Sequence, residues 1–128
     1  MLLEYEFRSD QLEGLGYRVF PNELENNPNV LFHATSIANL AAILNNGILP
    51  GNEVGQNLMT ISYADNSMIA LTHWVGVRRE GQDGVILALL FPNLDETFIS
   101  EGTRYSMQLR VQPCFIGKCV VPSSYNHH

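Results

Sequence analysis

Apolar and polar positions alternate along this chain with two periods, and each change of period marks an element. Over residues 2 to 8 the period is two, with Leu3, Tyr5 and Phe7 opposite Glu4, Glu6 and Arg8, which predicts a strand. Tyr17 to Phe20 predicts a second short strand, and the Asn- and Pro-containing stretch from Pro21 to Asn29 a loop. Val30 to His33 is a short apolar strand running into a helix whose apolar residues Ile37, Leu40, Ala41 and Leu44 recur at i, i+3, i+4 and i+7. Thr35 or Ser36 is placed to cap that helix, and Gly47 to end it after Asn45 and Asn46.

Pro50 to Asn57 reads as a loop and Leu58 to Tyr63 as a short extended segment. A second helix is expected from Asp65 or Ser67, with Met68, Leu71, Thr72 and Val75 inward and Gly76 or Gly81 at its end. Val85 to Phe91 is a continuous apolar run, the signature of a strand buried on both faces. Pro92 to Thr103 predicts a loop. Tyr105 to Val111 then alternates, with Tyr105, Met107, Leu109 and Val111 on one face and Ser106, Gln108 and Arg110 on the other. Phe115 to Val121 is the last expected strand. Residues 1 to 128 therefore read as a single α+β domain, with a split or curved, mainly antiparallel sheet and two helices.

A hydrophobic content of 45% over 128 residues is enough for one packed core and leaves no segment that reads as disordered. The net charge of -6 argues against a broad phosphate-binding surface, since that binding rests on Lys and Arg. Arg78 and Arg79 are the only adjacent basic pair, and Arg104 and Arg110 flank the alternating strand; a local phosphate contact and a solvated surface role are both open to them. No run reaches membrane-spanning length and the start has no secretion-signal pattern, so the expectation is a soluble, cytoplasmic protein. Cys114 and Cys119 fall on opposite faces of their strand and read as reduced packing cysteines. No metal site is expected, because His73, His127 and His128 lack ligand spacing.

The chemistry-bearing positions cluster in three segments. In FHAT, at 32 to 35, His33 and Thr35 stand at a strand end, where a ligand is reachable; a core histidine beside a capping threonine fits the pattern equally well. ISYADNSMIALTHW spans 61 to 74 and YSMQLRV spans 105 to 111. Together these segments resemble the ADP-ribosyltransferase superfamily, in its His-Tyr-Glu branch with diphtheria toxin and the poly-ADP-ribose polymerases. The stretch HATSIANLAAILNNGIL is also similar to the start of DarT-type toxins, which modify DNA bases.

The resemblance implies NAD as substrate and a catalytic set of His33, Tyr63 and Gln108. His33 would bond a ribose hydroxyl, the Ala34 backbone and Thr35 hydroxyl would hold the nicotinamide amide or its ribose, and Tyr63 would face the nicotinamide ring. Ser62 and Ser67 are further candidate contacts, though a serine before a helix also serves as a cap. Trp74 reads as core. The acceptor implied is a macromolecule, either a protein side chain or a nucleic-acid base, and a toxin or effector of this kind is partnered in some cases by an antidote protein.

Gln108 stands where the family places a catalytic glutamate. Cleaving the nicotinamide–ribose bond builds positive charge on the sugar, which a carboxylate stabilises and an amide does not. Gln108 is open to three readings: a weak natural active site, a silent module that binds NAD or a partner without turnover, or a deliberate glutamate replacement. Glu96 and Glu101, in the preceding loop, are alternative carboxylates.

Overall fold

The computed structural model describes residues 2–50 and 60–125. The expected loop over 51–57, the start of the expected segment at Leu58, and His127 and His128 lie outside them. Two sheets and three α-helices form a mainly antiparallel α+β fold. The first sheet has the order β1-β7-β4-β2, from β1 (Leu3–Glu4), β7 (Cys114–Val121), β4 (Gly84–Leu90) and β2 (Val30–Ser36); only β1 against β7 is parallel. The second has the order β3-β6-β5, from β3 (Ile61–Tyr63), β6 (Thr103–Ser106) and β5 (Thr97–Ser100).

Strand β4 is the centre of the molecule, as its unbroken apolar run requires. Ile86 and Ala88 enter one core with Phe32, Leu71 and Trp74, while Val85, Leu87 and Leu89 enter the other with Ile43, Ile61 and Tyr63. A fully buried central strand with both faces covered removes several large aliphatic side chains from water, each contributing roughly 1.5–3 kcal/mol. The two sheets meet where Phe32 and Ala64 exchange backbone hydrogen bonds of 2.9 and 2.8 Å. That crossing sets β2 beside β3, and β6 follows as the antiparallel partner of β3.

The helix after β2 begins with a 3-10 turn, Ile37–Asn39, before α2 (Leu40–Asn46). Ser36, not Thr35, caps it, its Oγ accepting from the Ala38 N–H at 3.2 Å. The expected inward stripe is corrected here. Ile43 is fully buried while Ala41 and Leu44 face solvent, because a turn of three residues brings Ile37, Leu40 and Ile43 into line. Helix α3 (Ser67–Val77) is capped by Asn66, whose Oδ1 accepts from the Ile69 N–H at 2.9 Å. Its buried residues are Ser67, Ala70, Leu71 and Trp74, a face rotated by one residue from the expected stripe. Apolar side chains lie nearly all round this helix, so the pattern left its face open; the small Ser67 and Ala70 are the ones that permit close approach to the sheet.

Three further expectations change. Residues 17–20 are not a strand, and the following stretch holds a short helix, α1 (Asn22–Glu25). The expected loop before Thr103 contains β5, joined to β6 by a two-residue turn at Glu101 and Gly102, with φ of 52° and 81°. The strand expected over Tyr105–Val111 is β6, which ends at Ser106, leaving Met107 and Val111 exposed beyond it. Cys114 and Cys119 are both free thiols; Cys119 packs in the core, whereas Cys114, expected to pack as well, is exposed. Among the described residues no helix is long and apolar enough to cross a membrane, and no cluster of metal-ligating side chains is present.

Candidate functional site

The crossing of the two sheets brings β2, β3 and β6 around a cleft of about 330 Å³, closed on one side by α3. Ala34 from β2, Ser62 and Tyr63 from β3, Thr103 and Tyr105 from β6, and Ile69 and His73 from α3 line it. Three segments distant in sequence therefore converge on one opening. Beside it Phe98 and Tyr105, paired across β5 and β6, hold their rings 6.0 Å apart. The cleft wall is apolar and aromatic with hydroxyls set into it, the usual character of a small-molecule site.

Behind the cleft wall lie the polar groups of the expected catalytic set. His33 is buried and its Nδ1–H donates to the Ser62 carbonyl at 2.8 Å. The Tyr63 ring lies 6.3 Å from that of His33, edge-on to Phe91, and its hydroxyl shares a 2.7 Å hydrogen bond with Ser106 Oγ. Burial pushes the Tyr63 phenol up from 10.0 to about 12, partly offset by the Ser106 bond and reinforced by the charge of Glu96. Thr35 does not line the cleft: it lines a separate small recess beyond Ala34, where its Oγ1 accepts a 3.0 Å hydrogen bond from Asn39 Nδ2.

Two further members of the expected set lie elsewhere. Ser67 is fully buried at the start of α3, where its backbone N–H and its hydroxyl donate to the Glu25 carboxylate and its Oγ accepts from the Val19 N–H at 2.9 Å. It ties the N-terminal segment to α3 and does not line the cleft. Gln108 is exposed, two residues past the end of β6, and is not among the cleft-lining residues. The strand turns away at Ser106, so the alternation that placed Gln108 on a strand face does not extend to it.

Nor does either loop carboxylate replace it there. Glu96 accepts the backbone N–H groups of Arg110 at 2.8 Å and Val111 at 3.2 Å, and these bonds hold its carboxyl below the usual range. Glu101 occupies the tip of the β5–β6 turn in left-handed conformation, exposed. Arg104 is engaged by Asp65 at 3.2 Å and by Thr97 Oγ1 at 2.9 Å. Among the described residues, no carboxylate lines the cleft.

His73, Thr103 and Ser106 are the groups that sequence reasoning passed over. His73 carried a signal, since it lies four residues after Ile69 on one helix face, but it was weighed only as a metal ligand. Ser106 carried none until β3 and β6 were paired in register, Ile61 opposite Ser106. No family model matches the chain, and no curated protein or solved structure is similar to it.

Proposed function

We propose that this protein is an ADP-ribosyltransferase-type domain that takes NAD into the cleft between β2, β3 and β6 and transfers ADP-ribose to a macromolecule in the cytoplasm. The observation that supports it is convergence. FHAT, ISY and the Tyr105–Ser106 start of YSMQLRV, from the three segments that resemble the family, meet around this cleft, with His33 bonded to Ser62 and Tyr63 bonded to Ser106 behind its wall. In this reading the ribose hydroxyls meet the hydroxyls of Ser62 and Thr103, and the aromatic wall at Tyr105 takes a ring of the ligand.

The chemistry follows from charge. As the bond from ribose C1′ to the nicotinamide nitrogen breaks, its electron pair goes to the ring, neutral nicotinamide leaves, and the sugar becomes cationic until the acceptor attacks. Hydroxyl dipoles stabilise that cation less than a carboxylate does, and the missing term is on the order of 3 kcal/mol, roughly a hundredfold in rate. Slow turnover is therefore the expected behaviour. The acceptor is a protein side chain or a nucleic-acid base, and an antidote protein is a natural partner for such an activity.

A second reading, binding of NAD or ADP-ribose without turnover, is favoured by the lack of a carboxylate among the described lining residues. Nicotinamide release from NAD separates the two. The transferase reading expects slow release by the chain, enhanced by Thr103→Glu, which sets a carboxylate into the cleft from β6, and not by Gln108→Glu. Binding with no release from the chain supports the silent reading; no binding at all removes both.

A further inference from the structure

Strand β5 is the outer strand of the second sheet, and among the described residues no strand pairs with its open edge. The turn at Glu101 and Gly102 has positive φ at both positions, so Ser100 and Thr103 close the hairpin as a hydrogen-bonded pair. Alternation along an antiparallel ladder then turns the N–H and C=O of Ile99 away from β6, towards the open edge. The Thr97 N–H, which points the same way, is taken by the Leu94 carbonyl at 2.9 Å, which leaves Ile99 as the pairing position of that edge.

Edges of this kind are usually blunted by charge, proline or a bulge. The TFIS of β5 contains neither charge nor proline, its register against β6 is unbroken, and Phe98 and Ile99 are 42% and 61% exposed. Phe98 lies on the cleft face beside Tyr105, and Ile99 on the opposite face. A strand added here would meet one apolar side chain on each face as well as the backbone of Ile99, the arrangement by which sheet edges bind extended peptides.

Charge selects the occupant. Asp95 and Glu101 stand exposed at the two ends of β5 with no ion-pair partner among the described residues, whereas Arg104 is held by Asp65 and Arg110 lies 3.5 Å from Glu96. A second copy of this chain, paired antiparallel about Phe98 or Ile99, would set Glu101 opposite or diagonal to Asp95 of the other copy at both ends, a like-charge contact. The same carboxylates and the net charge of -6 repel a phosphate backbone.

We propose that the β5 edge docks an extended segment of a partner protein, with β-branched or aromatic residues flanked by Lys or Arg, added as a further strand beside β5. That segment lies one strand away from Tyr105 in the cleft wall, so the partner approaches the cleft without filling it. The surface does not rest on the cleft taking NAD.

The test selects displayed random peptides against the full chain and follows the enriched ones, made synthetically, by the Ile99 amide cross-peak in a proton–nitrogen correlation spectrum. Expected are apolar peptides with basic flanks that shift this cross-peak saturably and bind about tenfold more weakly to Ile99→Pro, the value of one strong main-chain hydrogen bond. Ile99→Pro removes only an outward N–H, which an edge strand tolerates, and an unchanged melting temperature checks the fold. Methylating the peptide's own backbone nitrogens should give the same loss with the protein unaltered, which keeps the proposal testable if that variant fails to fold. Glu101→Lys should lower affinity for these peptides and flatten its salt dependence. No enriched peptide, binding that survives either backbone change, or acidic flanks among the enriched peptides overturns the proposal. So does a dimer that Ile99→Pro dissociates, which makes a second copy the occupant, or a stronger shift of the Ile99 amide with single-stranded DNA than with any peptide.

Discussion

The Glu25 junction and the sheet-crossing cleft use similar residues to opposite ends. At the junction a carboxylate with no exposed side-chain surface accepts from the backbone of Phe20 at 3.2 Å, from the backbone of Ser67 at 3.0 Å, and from the Ser67 hydroxyl, with Arg18 at 3.8 Å. Its acceptor capacity is used internally, at the start of α3, where negative charge is favoured. The cleft presents hydroxyls, an imidazole and aromatic faces to an opening, with no carboxylate among the described lining residues. A polar cluster whose groups satisfy one another holds a fold together; one whose groups face an opening is available to a ligand.

The largest way to test that contrast is Glu25→Ala. It strands the N–H groups of Phe20 and Ser67 in the interior, and urea unfolding should show a loss of about 3 kcal/mol, with no specific change in cleft binding. Next is pH. The folded state holds the Tyr63 proton more tightly than the unfolded chain, with the phenol raised to about 12, and the Cys119 thiol is raised by burial from 9.0 to about 12. Both groups favour the fold below their ordinary values, and that contribution is lost as pH climbs from about 9 towards 12. Denaturant midpoints should fall over this window, and Tyr63→Phe should remove the phenol part of the fall.

Gly84→Ala should cost about 2 kcal/mol, because its Cβ would lie 2.2 Å from the Trp74 ring; a drop in melting temperature with altered tryptophan emission is the readout. Smallest is Gln108→Glu, which should shift stability by less than about 0.5 kcal/mol at its exposed position. A large effect of that substitution on nicotinamide release would place the reacting sugar beyond the end of β6 and break the cleft assignment.

Much of the fold was legible where one physical signal dominated. The apolar run at β4 demanded burial on both faces, and Gly47 ended its helix through cap chemistry, while the start expected at Asp65 or Ser67 falls between them, at Asn66. Strand β5 was not legible, since Phe98 and Ile99 stay exposed and pair only because the turn at Glu101 and Gly102 folds them onto β6. The two helix faces were misjudged for different reasons: a 3-10 entry in one, nearly uniform hydrophobicity in the other. Of the site, His33, Ala34, Ser62 and Tyr63 fall in or directly behind the cleft wall. Ser67 looked like a site serine because Glu25, its partner 42 residues away, cannot be read from local pattern.

The most direct measurement is a calorimetric titration of NAD into the chain and into Thr103→Trp, which fills the cleft from a partly exposed strand position. Saturable binding with a Kd below about 1 mM, lost in Thr103→Trp while the melting temperature holds, is the expected result. No binding by the chain at several millimolar, or equal binding by the filled variant, would contradict an NAD site at this crossing.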